Sequence, residues 1–217
     1  MAKYSGAQAV RRYVVLVIGL AIMSCGIAMS KLAELGTTPI SCIPATLSYS
    51  SFTIGIWTMI FNAILVLAQL LILRKEFQLF QLLQLIIAFL IGAFTDVWVA
   101  LLEPYMAPDS YIIQWAYCIL AAVILGFGIM LEIKADVLMA PGEGFILAVS
   151  RRTGIPFPRT KVISDTSMVI TGAVLSILIN GELLGVREGT IFAAISVGFI
   201  VGMYRRYLGP MVDRMLE

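Results

Sequence analysis

A small set of polar and acidic side chains stands where an otherwise apolar chain has least reason to carry them. Asp165, in KVISDTSMVITG, falls about one turn inside an apolar run, flanked by Ser164, Thr166 and Ser167. A carboxylate at that depth in a bilayer is costly unless paired or wet, which marks a solute pathway or a proton site. The competing reading is an ion pair with Lys161, four residues earlier on the same helix face. Asn62, in a comparable place earlier in the chain, supplies a neutral hydrogen-bonding counterpart. Glu34 and Asp136 each close an apolar run. Their recurrence fits either a shared capping role, neutralised by Lys31 and Lys134, or a proton- or cation-coupling site. Glu143, between Gly142 and Gly144, sits on flexible backbone and either lines or gates a site. Asp96, beside Trp98, reads as an anchor.

These groups suit binding and proton transfer better than bond making. The chain has no histidine, so the commonest general base and metal ligand is missing. Cys25, Cys42 and Cys118 lie in or beside apolar runs without paired spacing, which indicates neither a disulfide framework nor a zinc site. We expect no catalytic residues, no metal, no cofactor and no nucleic-acid partner; an enzyme is the least favoured class.

Two broken segments would position the polar groups. After the first apolar run the chain reads KLAELGTTPISCIPATLSYSSFTIG, and after the fourth IKADVLMAPGEGFILAVSRRTGIPFP. In each, a proline (Pro39, Pro141) stands where a new helix would start, with Thr38 as an N-cap in the first and Glu143 in the first turn of the second. Each segment is a break followed by a short helix. It is long enough to dip into the membrane and return, or to lie as an interfacial amphipathic helix. Non-helical backbone at membrane depth survives only inside protein or along a watery cavity, and helix starts attract anions. A binding site built from Thr38, Pro39, Asn62, Pro141, Gly142, Glu143 and Asp165 follows, with Glu34, Asp136 and Asp165 as the coupling set.

The chain that carries these segments is 60% hydrophobic and 13% charged over 217 residues, with a mean hydropathy of +0.98. That excludes an ordinary soluble domain and makes the bilayer its surroundings. Apolar runs of spanning length lie at 13–30, 54–73, 79–102 and 112–131, and weaker ones at 162–179 and 186–204, the last least defined at its start. The first reads as a permanent helix rather than a cleaved signal. Lys3, Arg11, Arg12, Arg74, Lys75, Arg151, Arg152, Arg159, Lys161, Arg205, Arg206 and Arg214 all fall on one side of such a six-span arrangement. The positive-inside rule then places both termini in the cytoplasm.

The chain also divides into two related halves, 1–106 and 107–217. Gly26-Ile27 recurs as Gly128-Ile129, Ala33-Glu34 as Ala135-Asp136, and Asn62 meets Asp165. The shared order is helix, Gly/Pro break, helix, short connection, helix. Three crossings per half is odd, so the halves run in opposite directions, an inverted-topology repeat of the kind secondary transporters use. The fold class expected is an all-α polytopic membrane protein of six transmembrane helices in two inverted three-helix repeats. Gly198 and Gly202, and Gly26 with Ser30, give small-residue pairs for close packing within the monomer or between protomers, so a homodimer is one expected assembly. Trp57, Trp98 and Trp115 are expected in interfacial belts.

The stretches LGTTPISCIPATLS, FTIGIWTMIFNAILVLAQLLILRKEF and LLQLIIAFLIGAFTDVW resemble the YczE/YitT-like bacterial membrane proteins, in which a KA(D/E)LG-x-x-P type segment recurs in both halves. The second copy here departs from it, with Leu138 in place of the glycine and one added residue before Pro141. The resemblance implies the membrane fold and a bacterial inner membrane, and it implies no substrate. The function expected from the residues is a secondary transporter of a small organic anion or zwitterion, proton-coupled, working by alternating access. A passive channel for a small polar solute and a membrane scaffold are the alternatives. The partners expected are that small-molecule solute and the lipid bilayer.

Overall fold

A computed structural model describes residues 6–217 as a bundle of helices; Lys3, one of the basic residues ahead of the first span, lies outside the described residues. The order is α1 (Gly6–Leu32), α2 (Cys42–Ser48), α3 (Ile54–Leu73), α4 (Gln84–Leu102), α5 (Tyr111–Ala135), α6 (Pro141–Thr153), α7 (Phe157–Asn180), α8 (Glu188–Tyr207) and α9 (Gly209–Leu216). Two 3₁₀ turns join α3 to α4. α1, α3, α4 with the 3₁₀ turn before it, α5 and α7 are each long and apolar enough to cross a membrane. α8 counts as a sixth span only together with α9, which leaves it at 59°.

The core is the antiparallel pair α1 and α5, which make the most extensive contact in the molecule. Small residues set their separation. A Cβ on Gly26 would lie 2.7 Å from the Leu125 backbone nitrogen, and one on Gly128 would lie 2.7 Å from Met23 Cα. Gly26-Ile27 and Gly128-Ile129, which recur in the sequence, are therefore the crossing point of the two central helices. Arg12 of α1 donates to the carbonyls of Lys134 and Ala135, covering the free carbonyl end of α5 with a cation.

α4 packs on α1 and α3, and α8 packs on α5. Asp96 accepts hydrogen bonds from Thr53 Oγ1 (2.6 Å) and the Gly55 amide (2.8 Å), pinning the start of α3 to α4. Trp98 donates from its indole to the Ala21 carbonyl of α1, so it ties helices together as well as lying near a helix end. α7 and α8, by contrast, scarcely touch. A Cβ on Gly198 or Gly202 would meet nothing within 4 Å, so this pair does not close a helix contact within the chain.

The recurring acids Glu34 and Asp136 share a backbone role. Both have left-handed backbone, with φ of 59° and 49°, just after α1 and at the C-cap of α5. Short polar side chains tolerate that conformation, and it stops a helix. The expected neutralising lysines are engaged elsewhere: Lys134 pairs with Asp213 of α9, and the Lys31 ammonium lies 5.7 Å from the Tyr49 ring centroid.

Candidate functional site

The two broken segments leave opposite ends of the central pair and meet in the interior. The first is held by the α7–α8 connection. Thr37 donates its amide to the Gly185 carbonyl (3.1 Å), Gly189 donates to the Leu35 carbonyl (2.7 Å), and Arg187 Nη1 donates to the Glu34 carbonyl (2.9 Å). These bonds satisfy backbone that is buried without being helical. Pro39 does not begin a helix, as its position had suggested. It opens a turn closed by the Ser41 amide on the Thr38 carbonyl (2.9 Å), and α2 starts at Cys42 without a side-chain cap. Proline suits the second position of a turn as well as the first of a helix, because both need the same φ.

In the second segment Pro141 is the first residue of α6, and Glu143 lies in its first turn, as expected. Its carbonyl accepts from Gln69 Nε2 (3.1 Å), which also donates to Gln84 Oε1 (2.9 Å). This buried pair docks α6 on the end of α3 and the start of α4. α2 docks in the corresponding way on the end of α7, where Thr46 Oγ1 donates to the Leu184 carbonyl (3.0 Å). The segments touch at Gly142, whose missing Cβ would overlap Ile40 Cδ1.

Around this contact lies a cavity of about 920 Å³. Thr38, Pro39, Asn62, Asp136, Gly142, Glu143 and Asp165 all line it. Its end at the first break is formed by buried residues, among them Thr38, Pro39, Ser41 and Pro44; at the other end it reaches exposed Gln78 and Arg151. Two expected residues are elsewhere. Pro141 positions α6 from behind the wall, and Glu34 lies at the surface, its carboxylate 3.5 Å from Gln114 Nε2. Glu34 is therefore not grouped with Asp136 and Asp165, although it ends its helix in the same left-handed backbone as Asp136.

Asp165 pairs with Lys161 at 3.1 Å, the ion pair expected from their spacing, and both line the cavity. Two wall residues escaped the sequence reading. Glu132, 5% exposed, accepts the Ala140 amide on Oε1 (2.8 Å), and its other oxygen has no partner among the described residues. Thr58, 4% exposed, has a hydroxyl with no hydrogen-bond partner among the described residues. The signal for Glu132 was its position four residues before Asp136 on the same helix face. A span ended at Leu131 hides it, whereas α5 runs on to Ala135.

Side chains of this kind can hold a bulky solute against an apolar wall, orient it through carboxylates and a hydroxyl, and exchange protons. Cys25, Cys42 and Cys118 are free, and Cys42 Sγ lies 2.9 Å from the Pro39 carbonyl.

Residues 10–206 match the DUF6198 family model, described as a family of unknown function, a different name from the YczE/YitT-like group that the first break resembles. The uncharacterized protein YyaS of Bacillus subtilis (strain 168) is 24% identical over 204 residues, covering 94% of each chain. No solved structure matches the chain. The similarity to YyaS runs almost end to end and the family match takes in both breaks and the whole cavity wall: the chain belongs to the DUF6198 family.

Proposed function

We propose that this chain is a secondary transporter of a small organic solute, moving it by alternating access and coupled to protons. The observation that carries the reading is the meeting of two broken segments, Ile40 against Gly142, beside a cavity with acids in its wall. Helices interrupted at a central site are how transporters expose backbone and polar side chains to a solute without exposing them to lipid.

The packing supports two inverted halves. α2 contacts α3 and α7, and α6 contacts α7 and α3, the same relation with the halves exchanged. The halves differ in one place: α3 and α4 are closely packed, while α7 and α8 are apart. A single state of an alternating-access protein has this inequality, closed at one end and open at the other. The buried end at the first break and the exposed end at Gln78 and Arg151 fit such a state, with the basic end in the cytoplasm of a bacterium.

The test is flux. Purified protein in proteoliposomes should show solute uptake that saturates and is driven by a pH gradient, with candidates chosen by a thermal-stability screen at two pH values. Asp165→Asn should lower the coupled rate. Uptake that rises linearly with concentration and ignores the gradient would mean a channel. No uptake of any solute that stabilises the protein would refute transport.

A further inference from the structure

The charged side chains on the cavity wall are Glu132, Asp136, Glu143 and Asp165 against Arg151 and Lys161. Lys161 is taken by Asp165, and Arg151 stands at the exposed end. That leaves buried Glu132 and half-buried Glu143 as wall acids with no lysine or arginine paired to them among the described residues. Glu132 presents one oxygen without a partner among the described residues, and Glu143 lines the same cavity from the first turn of α6. Thr58 adds its hydroxyl, likewise unpartnered among the described residues, on the same wall.

An anion finds no equivalent there. The start of α6, where amides would attract one, already has an internal anion, because the Ala140 amide is bonded to Glu132. α2 has seven residues and too little dipole to replace it. An inorganic cation is a poor fit as well. Calcium, for example, needs six to eight oxygens at about 2.3–2.6 Å. Among the described residues no group of three or more Cys, Asp or Glu is arranged to hold a metal. The space is that of a drug-sized molecule.

We propose that the cavity binds a lipophilic organic cation, an amine or quaternary onium, with its charge against Glu132 and Glu143 and its body against Met23, Ile27, Leu125 and Ile129. This deepens the transport reading and rests on it for the direction in which the cation moves. Gly198 is an exposed wall residue with open space at its Cβ, and α7 and α8 scarcely touch, which gives a lipophilic cation a sideways entrance on this reading.

A purely structural Glu132 would do no more than cap α6. Glutamine keeps that acceptor for the Ala140 amide and removes the charge, so the two roles separate. The probes are tetraphenylphosphonium and its near-isosteric anion tetraphenylborate, titrated calorimetrically into purified full-length protein in uncharged detergent. The expected result is saturable tetraphenylphosphonium binding, with tetraphenylborate weaker by about tenfold or more. Glu132→Gln and Glu143→Gln should each weaken the phosphonium by a similar factor while the melting temperature holds. Glu143, which caps nothing, keeps the test decisive should Glu132→Gln not fold. Equal binding of the two ions, binding indifferent to Glu143→Gln, or no binding of the phosphonium overturns the cation assignment and leaves solute transport standing. Saturable phosphonium binding by a protein that carries no solute in proteoliposomes would sink transport and leave the cation site standing.

Discussion

Substituting Gly142 by valine tests whether the two broken segments meet. In the folded chain a Cβ at Gly142 would overlap Ile40 Cδ1, while Ile40 Cγ1 lies 3.5 Å away, an ordinary contact. The collision is therefore with the tip of one side chain. A tip can swing aside, but an off-rotamer Ile40 costs about 0.5–1.5 kcal/mol. With the valine methyls crowding the same side chain, the whole cost of overpacking is about 1–3 kcal/mol. At about 2–4 °C per kcal/mol for a chain of this length, Gly142→Val should lower the melting temperature by roughly 2–12 °C. Ile40→Ala alone should cost about 1–2 kcal/mol, less than a fully buried isoleucine, because Ile40 is only half-buried. With alanine at position 40 the obstacle is gone, so adding Gly142→Val should cost under about 0.5 kcal/mol. The double-mutant cycle, read from melting in detergent or from SDS titration, should give a coupling of about 1–2 kcal/mol. Costs that simply add would refute the contact, and with it the argument that the breaks share one site.

Four further outcomes check that site and the frame around it. Gly128→Ala places a Cβ 2.7 Å from Met23 Cα and 2.8 Å from the Gly19 carbonyl oxygen; backbone cannot rotate away, so a loss of about 3 kcal/mol is expected. Gly198→Ala meets nothing within 4 Å and should stabilise the fold through helix propensity by about 0.5–1 kcal/mol, read as a higher melting temperature. A loss there would mean that α7 and α8 are closed in solution. Asp96→Ala leaves Thr53 and the Gly55 amide without their acceptor and should cost about 1–3 kcal/mol; under about 0.5 kcal/mol would show that the α3 start is held by packing alone. Asp136→Asn keeps a side chain that tolerates φ of 49°, so melting should shift by under about 1 kcal/mol while pH-driven uptake falls; unchanged uptake would leave Asp136 as a helix stop only.

The spans were legible because hydropathy is a property of twenty neighbouring residues, and no partner is needed to compute it. The run at 54–73 coincides with α3, and the others overlap their helices, with the largest difference at the start of α1, which begins at Gly6 rather than 13. The breaks were legible for a similar reason: Pro141 is a poor residue inside a helix and a good one at its start, so it marks a new helix rather than a continuation of α5. Asn62, Asp136, Glu143 and Asp165 stood out as polar groups in apolar stretches, and all four line the cavity.

What depends on which helices lie side by side was not in the sequence. Lys134 had an acid two residues away in Asp136, yet it pairs with Asp213 because α9 folds back against α5. Gly26 and Gly198 look alike as small residues in apolar helices, but one is the crossing point of the core and the other faces open space. Pro39 and Pro141 satisfy the same φ, and only the bonds around them make one a turn and the other a helix start. Glu132 becomes a site residue only when the α6 amide and the cavity converge on it. Local composition fixes where a chain must enter and leave a membrane. The burial of a charge, the closing of a helix pair and the meeting of two breaks are pairwise quantities, decided by residues about a hundred positions apart that the sequence places together only after it has folded.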